Sequence, residues 1–321
     1  MTELNYEKRM LEQMAMPTRQ EVEQSLLRSL LKHGGVIKEF GPGQEVVDEI
    51  ANEFELNEHQ RSAFLQTVYL KENRIKKSNL WHRLLFRAAD SLAKEKLITR
   101  PTHTVRLTNK REWMLTENGI NQALTLLNIP LSERESIQIK SLEIQKTINK
   151  MIRAEKPADY NPFDKKKKSL QVTTESIIRK RGFRLAVIEA YNFKCAICGL
   201  KIKSPDFLIW EVEAAHIVPH RYFGRDDIWN GLALCHLHHW AFDVGWFTLD
   251  DDYKIKVSKQ SQYLLAEYGK IGDYDFIRSL LNKTTTIMLP RSSNYYPHNN
   301  AIRWHRENIF FNDNSFIVKE K

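Results

Sequence analysis

The sequence predicts an α+β protein of two domains, the first mainly helical and the second built around a short hairpin and a helix. Three observations predict it. Apolar residues recur at helical spacing through the first third of the chain, and two Cys/His pairs with the same two-residue gap stand in the second half. Between these regions lies the linker-like run "EKPADYNPFDKKKKSLQ" at 155–171. At 321 residues each half can bury its own core. A hydrophobic content of 42% with 28% charged residues excludes wholesale disorder. Forty-nine Lys+Arg against 40 Asp+Glu leave a net charge of +9, which favours polyanionic partners such as nucleic acid, although a merely basic surface has the same balance. No stretch has the apolar length of a signal peptide or a membrane span, and three cysteines do not make a disulfide framework. The expected location is therefore the cytoplasm.

Element by element, residues 20–35 (Leu26, Leu27, Leu30, Leu31) and 44–72 (Val46, Val47, Ile50, Phe54) show helical apolar spacing. The loop "GGVIKEFGPG" separates them. "SNLWHRLLFRAADSLAKEKLI" at 78–98 predicts an amphipathic helix with its cap at Ser78 or Asn79. After it, the β-prone runs "TVRLT" and "REWMLT" flank an Asn-Lys pair and predict a hairpin. Three helices and such a hairpin outline a winged helix. "LWHRLLFRAADSLAKEKLITRP…REWMLTENG" further resembles the N-terminal winged-helix domain of Mrr-type restriction proteins, over roughly residues 16–125. That resemblance implies a DNA-recognition domain at 16–130, with Lys76, Lys77, Arg83 and Arg87 on or beside the helix that would enter a groove. Such a fold also serves protein contacts. Residues 131–170 are expected as a helical connector and Lys-rich linker, and 171–321 as the second domain, whose opening helix adds Arg179 and Arg181 as DNA-contact candidates.

"FKCAICG" supplies Cys195 and Cys198, and "LCHLHH" supplies Cys235 and His238. Two knuckles 37 residues apart, from Cys198 to Cys235, present four ligands suited to a closed tetrahedral structural zinc site, and they use every cysteine in the chain. The alternative is that the cysteines are simply buried hydrophobes.

"CAIC…EAAHIVPH…NGLALCHLHHWAFD" resembles the HNH endonuclease family, a ββα unit wrapped around one catalytic divalent ion, over about residues 185–260. The family order of His, Asn and a His nine residues later maps onto His216, Asn230 and His239. The resemblance implies a DNA endonuclease of restriction type in which His216, on a β-prone run, is the general base and Asn230 fixes the imidazole or its backbone. If "CHLHHWAFD" begins a helix, His239 and Asp243 share a face and can ligate one Mg²⁺, Mn²⁺ or similar ion, while His238 faces the zinc. Many family members carry a metal-binding Asp or His immediately before the catalytic His. Here that residue is Ala215, and Glu213 is the candidate replacement. His236 has no required role, and His220 is read as a plain loop histidine in preference to a phosphate contact. The tail, with Arg291, Arg303 and Arg306 among Tyr295, Tyr296 and Trp304, is read as support for the nuclease core.

The expected partner is double-stranded DNA. Cutting both strands with one site per chain implies a homodimer or successive nicking. Two other classes remain open at this point: a zinc-stabilised DNA-binding regulator, and a ribonuclease or nicking toxin.

Overall fold

The computed structural model describes residues 3–69, 74–164, 174–263, 269–271, 274–281 and 286–310. The lysine run at 165–168 and the side chain of Lys76 lie outside the described residues. The chain divides into two units, Met1–Lys146 with Pro205–Ile209, and Thr147–Ser204 with Trp210–Lys321. No helix among the described residues is long and apolar enough to cross a membrane.

In the first unit, α1 (Glu3–Gln13) precedes a capping box. Thr18 Oγ1 accepts from Glu21 N at 3.3 Å and the Glu21 carboxylate accepts from Thr18 N at 2.7 Å, which starts α2 (Arg19–Lys32). Val22, Leu26, Leu30 and Leu31 of α2 are fully buried, each stabilising the core by about 1.5–3 kcal/mol relative to exposure. β1 (Val36–Lys38) and α3 (Glu45–Glu53) follow.

The helical spacing over 44–72 does not yield one helix. Glu55 adopts a left-handed φ of 52° and Leu56 N donates to Ala51 O at 2.9 Å, closing α3. Asn57 then caps the short α4 (Glu58–Ser62), and the chain turns into a hairpin of β2 (Phe64–Tyr69) and β3 (Arg74–Asn79), with Lys77 exposed. The cap read at 78–79 is Asn79, whose Oδ1 accepts from His82 N at 3.0 Å and starts α5 (Leu80–Lys94). Trp81 Nε1 donates to Val47 O at 3.1 Å and ties α5 to α3.

The hairpin expected between "TVRLT" and "REWMLT" does not form. After β4 (Ile98–Thr99), Pro101 occupies the first turn of α6 (Pro101–Thr108), where its missing N–H costs nothing. The Thr and Val of "TVRLT" are drawn into that helix against their strand preference. β5 (Glu112–Leu115) pairs instead with β1 and β4, both antiparallel, in the order β1-β5-β4. α7 (Glu117–Leu126) and α8 (Leu142–Arg153) follow, α8 running on into the second unit.

Two of the residues expected to face DNA are committed elsewhere. Arg83 and Arg87 pair with Glu7 Oε2 at 2.7 and 2.5 Å, and Glu7 is 2% exposed. A buried carboxylate needs such partners, so these guanidiniums are paired to α1 while staying partly exposed.

In the second unit the end of α8 is followed by α9 (Thr174–Ala190), β6 (Val212–His216), β7 (Gly231–Cys235) and α10 (His236–Asp243). Arg181, expected at DNA, is 2% exposed on α9 and does not present its charge to a phosphate; Arg179 remains partly exposed but is ion-paired. A hairpin with an acidic turn follows, β8 (Phe247–Leu249) and β9 (Ile255–Val257), where Asp250 Oδ1 accepts from the backbone N of Asp252 and Lys254. β10 (Lys270–Ile271), β11 (Tyr274–Asp275), α11 (Phe276–Leu281) and α12 (Asn299–Asn308) complete the described elements.

The C-terminal segment belongs to the core of this unit. Asn294 bonds Ala154 O and Lys156 N, and its own carbonyl accepts from Trp229 Nε1 at 2.7 Å. His305 is stacked on Phe242 at 3.7 Å, accepts from Thr248 Oγ1 at Nδ1 and donates from Nε2 to Phe242 O. Burial pushes this imidazole down to about 4 despite the bond to Phe242 O. In the unfolded chain it titrates near 6.5, so its contribution is fully present above that pH and is lost as pH falls from about 6.5 to about 4. We expect unfolding free energy to drop by about 3 kcal/mol across that window in urea titrations, with a flatter slope in His305→Gln.

Candidate metal centre and active site

β6 and β7 pair antiparallel with His216 opposite Gly231 and Val212 opposite Cys235. This register places the histidine at one end of the hairpin and the Cys knuckle at the other. A Cβ on Gly231 would stand 2.4 Å from Val187 Cγ2, so α9 approaches the hairpin as closely as the missing side chain permits. Phe183 of α9 thereby stacks on the His216 ring, with centroids 4.1 Å apart and planes at 22°.

Asn230 is fully buried at the entrance to β7. Its Oδ1 accepts from Val218 N at 2.8 Å, and its Nδ2 donates to Val218 O and Arg225 O, both at 3.0 Å. Ile217 N donates to the Asn230 carbonyl at 2.9 Å. Asn230 thus touches the backbone beyond His216 and closes the loop 218–225 into a fixed ring. Gly224 completes the closure, because a Cβ there would lie 1.7 Å from Val218 O.

That loop delivers Asp226, a residue the sequence reading passed over, and His220. His216 Nε2 and His220 Nε2 each stand 3.0 Å from Asp226 Oδ1, and Arg179 Nε stands 2.8 Å from Oδ2. Burial opposes ionisation of Asp226, but the bonds from His216 and His220 outweigh it and hold the carboxyl well below the usual range. A carboxylate only accepts, so His216 must carry its proton on Nε2 and keep its Nδ1 lone pair. Burial also lowers the His216 pKa, against the pull of Asp226, and keeps the ring neutral at pH 7. The "RDD" preceding Asn230 was the available signal. Nothing in the string shows that its first aspartate turns inward.

Cys235 caps α10 directly after β7, so 236–243 runs as one short helix. His239 Nδ1 donates to Glu213 Oε2 at 2.9 Å, and its Nε2 faces Asp243 Oδ2 at 3.5 Å. Burial lowers the His239 pKa, but the bond to Glu213 and the charges of Asp243 and Glu213 outweigh it and raise the net value. A ring nitrogen with a lone pair facing a carboxylate oxygen invites a cation between them, so His239 and Asp243 fit a divalent ion. Glu213 holds the opposite nitrogen and orients the ring, which removes it as a third ligand to that ion in this arrangement. His236 is 60% exposed and lies against Glu211 and Glu213.

Cys195, Cys198, Cys235 and His238 bring their ligand atoms within 4.8 Å of one another. The edges run 3.9 Å for Cys198–Cys235, 3.7 Å for Cys195–His238 and 2.9 Å for Cys235–His238. A tetrahedral zinc with arms of about 2.0–2.3 Å has edges of about 3.5–3.8 Å, which the first two match. Sharing with Cys195 and then Cys198 pushes the Cys235 thiol well above its usual range, so without a cation this group stays a thiol. The donor set fits zinc.

Residues 195–250 match the family of HNH endonucleases, and the chain carries that domain there. Among solved structures it is similar to the modification-dependent TagI restriction endonuclease, with 21% identity over 40% of this chain and 37% of that one and a TM-score of 0.28. The chain therefore spans little more than a third of that protein's length. No curated protein matches it.

Replacing Asn230 by Asp would set a carboxylate against two carbonyls in a site without solvent. We expect Asn230→Asp to lose about 3 kcal/mol or more of stability in urea unfolding. A loss near zero would show that the loop closes without the amide.

Proposed function

We propose that the protein is a divalent-metal-dependent endonuclease of restriction type that hydrolyses double-stranded DNA with His216 as general base. The observation that supports this most is the state of His216 inside the matched HNH segment: neutral, oriented by Asp226, stacked on Phe183, and with Nδ1 left as acceptor. Nδ1 takes the proton of the attacking water, and the Asp226 carboxylate stabilises the imidazolium that results. Asn230 keeps the strand end and the loop in register, so that Asp226 stays on the ring. His239 and Asp243 hold the cation, with Glu213 orienting His239. A Mg²⁺ or Mn²⁺ ion bound there would supply positive charge to the phosphate as negative charge develops on it.

In this reading the three cysteines and His238 hold a structural zinc that fastens the knuckle to the start of α10. The first unit is the DNA-recognition domain of winged-helix type, supported by the order of helices and by the sheet β1-β5-β4. With Arg83 and Arg87 engaged by Glu7, base reading falls to other groups on α5 and to the β2–β3 hairpin, where Lys77 is exposed. A homodimer, or two successive nicks, accounts for double-strand cleavage.

Plasmid DNA incubated with Mg²⁺ or Mn²⁺ should be cut, and EDTA should stop the reaction. His216→Ala should lower the rate by about 100- to 10,000-fold while folding and zinc content stay unchanged. Full activity of His216→Ala would end the base assignment, and equal cleavage of RNA would move the protein to the ribonucleases. One zinc per chain is expected, and stripping it with a strong chelator should lower the melting temperature by about 10 °C, as should Cys198→Ser.

A further inference from the structure

The loop closed by Asn230 brings two imidazoles and one carboxylate to a single point, and that cluster has more donors than a general base requires. His216 Nε2 and His220 Nε2 both stand 3.0 Å from the same oxygen of Asp226, with ring centroids 4.2 Å apart. The three ligand atoms lie within 4.8 Å of one another. Two ligand atoms at right angles on arms of about 2.1 Å are about 3.0 Å apart, whereas on a tetrahedron they would be about 3.4 Å apart. The two observed separations of 3.0 Å fit right-angle positions on a five- or six-coordinate ion as well as they fit hydrogen bonds. Two imidazoles and a carboxylate on one face of such an ion, with the other positions open, form a donor set for first-row transition metals rather than for Mg²⁺. Arg179 occupies the second oxygen of Asp226 at 2.8 Å, so the carboxylate is held with Oδ1 toward the imidazoles.

We propose that His216, His220 and Asp226 form a binding site for a transition-metal dication such as Ni²⁺ or Co²⁺, separate from the Cys knuckle and from His239–Asp243, and that its occupancy switches His216 off. The metal needs the Nε2 lone pair of each ring. A neutral imidazole that gives Nε2 to a metal keeps its one proton on Nδ1, so two metal–nitrogen bonds form, each ring changes tautomer through solvent, and no net proton is released. Nδ1 of His216 then carries hydrogen and accepts nothing. Metal binding rests on geometry alone; the switch rests on the base role assigned to His216.

The test separates the two. In zinc-containing His239→Ala protein, which lacks the other candidate cation site, Ni²⁺ titration by calorimetry should show one additional ion per chain. Co²⁺ should give the weak visible bands of a five- or six-coordinate site. Adding His220→Ala should weaken uptake at least about tenfold, since even changes beyond the ligand shell cost that much. His220 is half-exposed on its loop, so this variant should fold, and Asp226→Asn gives a second removal of a donor. In the otherwise native protein, micromolar Ni²⁺ should inhibit Mg²⁺-supported cleavage, and His220→Ala, compared with its own nickel-free rate, should resist that inhibition. Absence of uptake, or uptake indifferent to His220, overturns the site and leaves the base role standing. Uptake that depends on His220 yet leaves cleavage untouched overturns the switch and the base role together.

Discussion

The arrangement depends on one buried carboxamide. Asn230 sits at the junction of the 218–225 loop and β7, and three of its side-chain hydrogen bonds go to backbone groups of Val218 and Arg225. An amide is suited to this, because it donates and accepts on one planar group and so satisfies a carbonyl and an N–H together. The consequences reach past the loop. Once its ends are held, His220 and Asp226 have no freedom to drift from His216, and the hairpin register that opposes His216 to Gly231 is held in place. Gly224 and Gly231 are the steric counterparts of the clamp, each permitting an approach that a methyl group would block.

Helix periodicity divides the chemistry at the other end of the hairpin. α10 begins immediately after Cys235, so consecutive residues turn by about 100° and adjacent histidines face different surroundings. His238 is buried among the sulfurs, and His239 lies with Glu213 and Asp243. A single turn thereby places one imidazole beside three sulfurs and its neighbour beside two carboxylates.

Charged groups around the site are paired with one another. Asp226 carries two imidazoles and a guanidinium, and Glu213 and Asp243 flank His239 on its two ring nitrogens. Among the described residues His305 has no charged partner, and it responds by staying neutral. In the first unit the same need for pairing draws Arg83 and Arg87 to Glu7. The basic surplus of the sequence therefore overstates the positive surface, because part of it neutralises buried carboxylates.

What could be read from the residues alone was whatever spacing encodes. The paired two-residue gaps indicated the four-ligand cluster, the nine residues from Asn230 to His239 matched the family order whose resemblance implied a ββα unit, and Ser78 or Asn79 marked the start of α5. Propensity misled where a local breaker competed with it: Pro101 turned "TVRLT" into α6, and Glu55 and Asn57 split the long helical pattern after residue 44. Asp226 and His220 were not legible, nor were the engagement of Arg83 and Arg87 and the burial of Arg181. Each depends on which way a side chain turns once distant segments pack, and that is decided by the desolvation of charge in three dimensions, a quantity with no period along the chain.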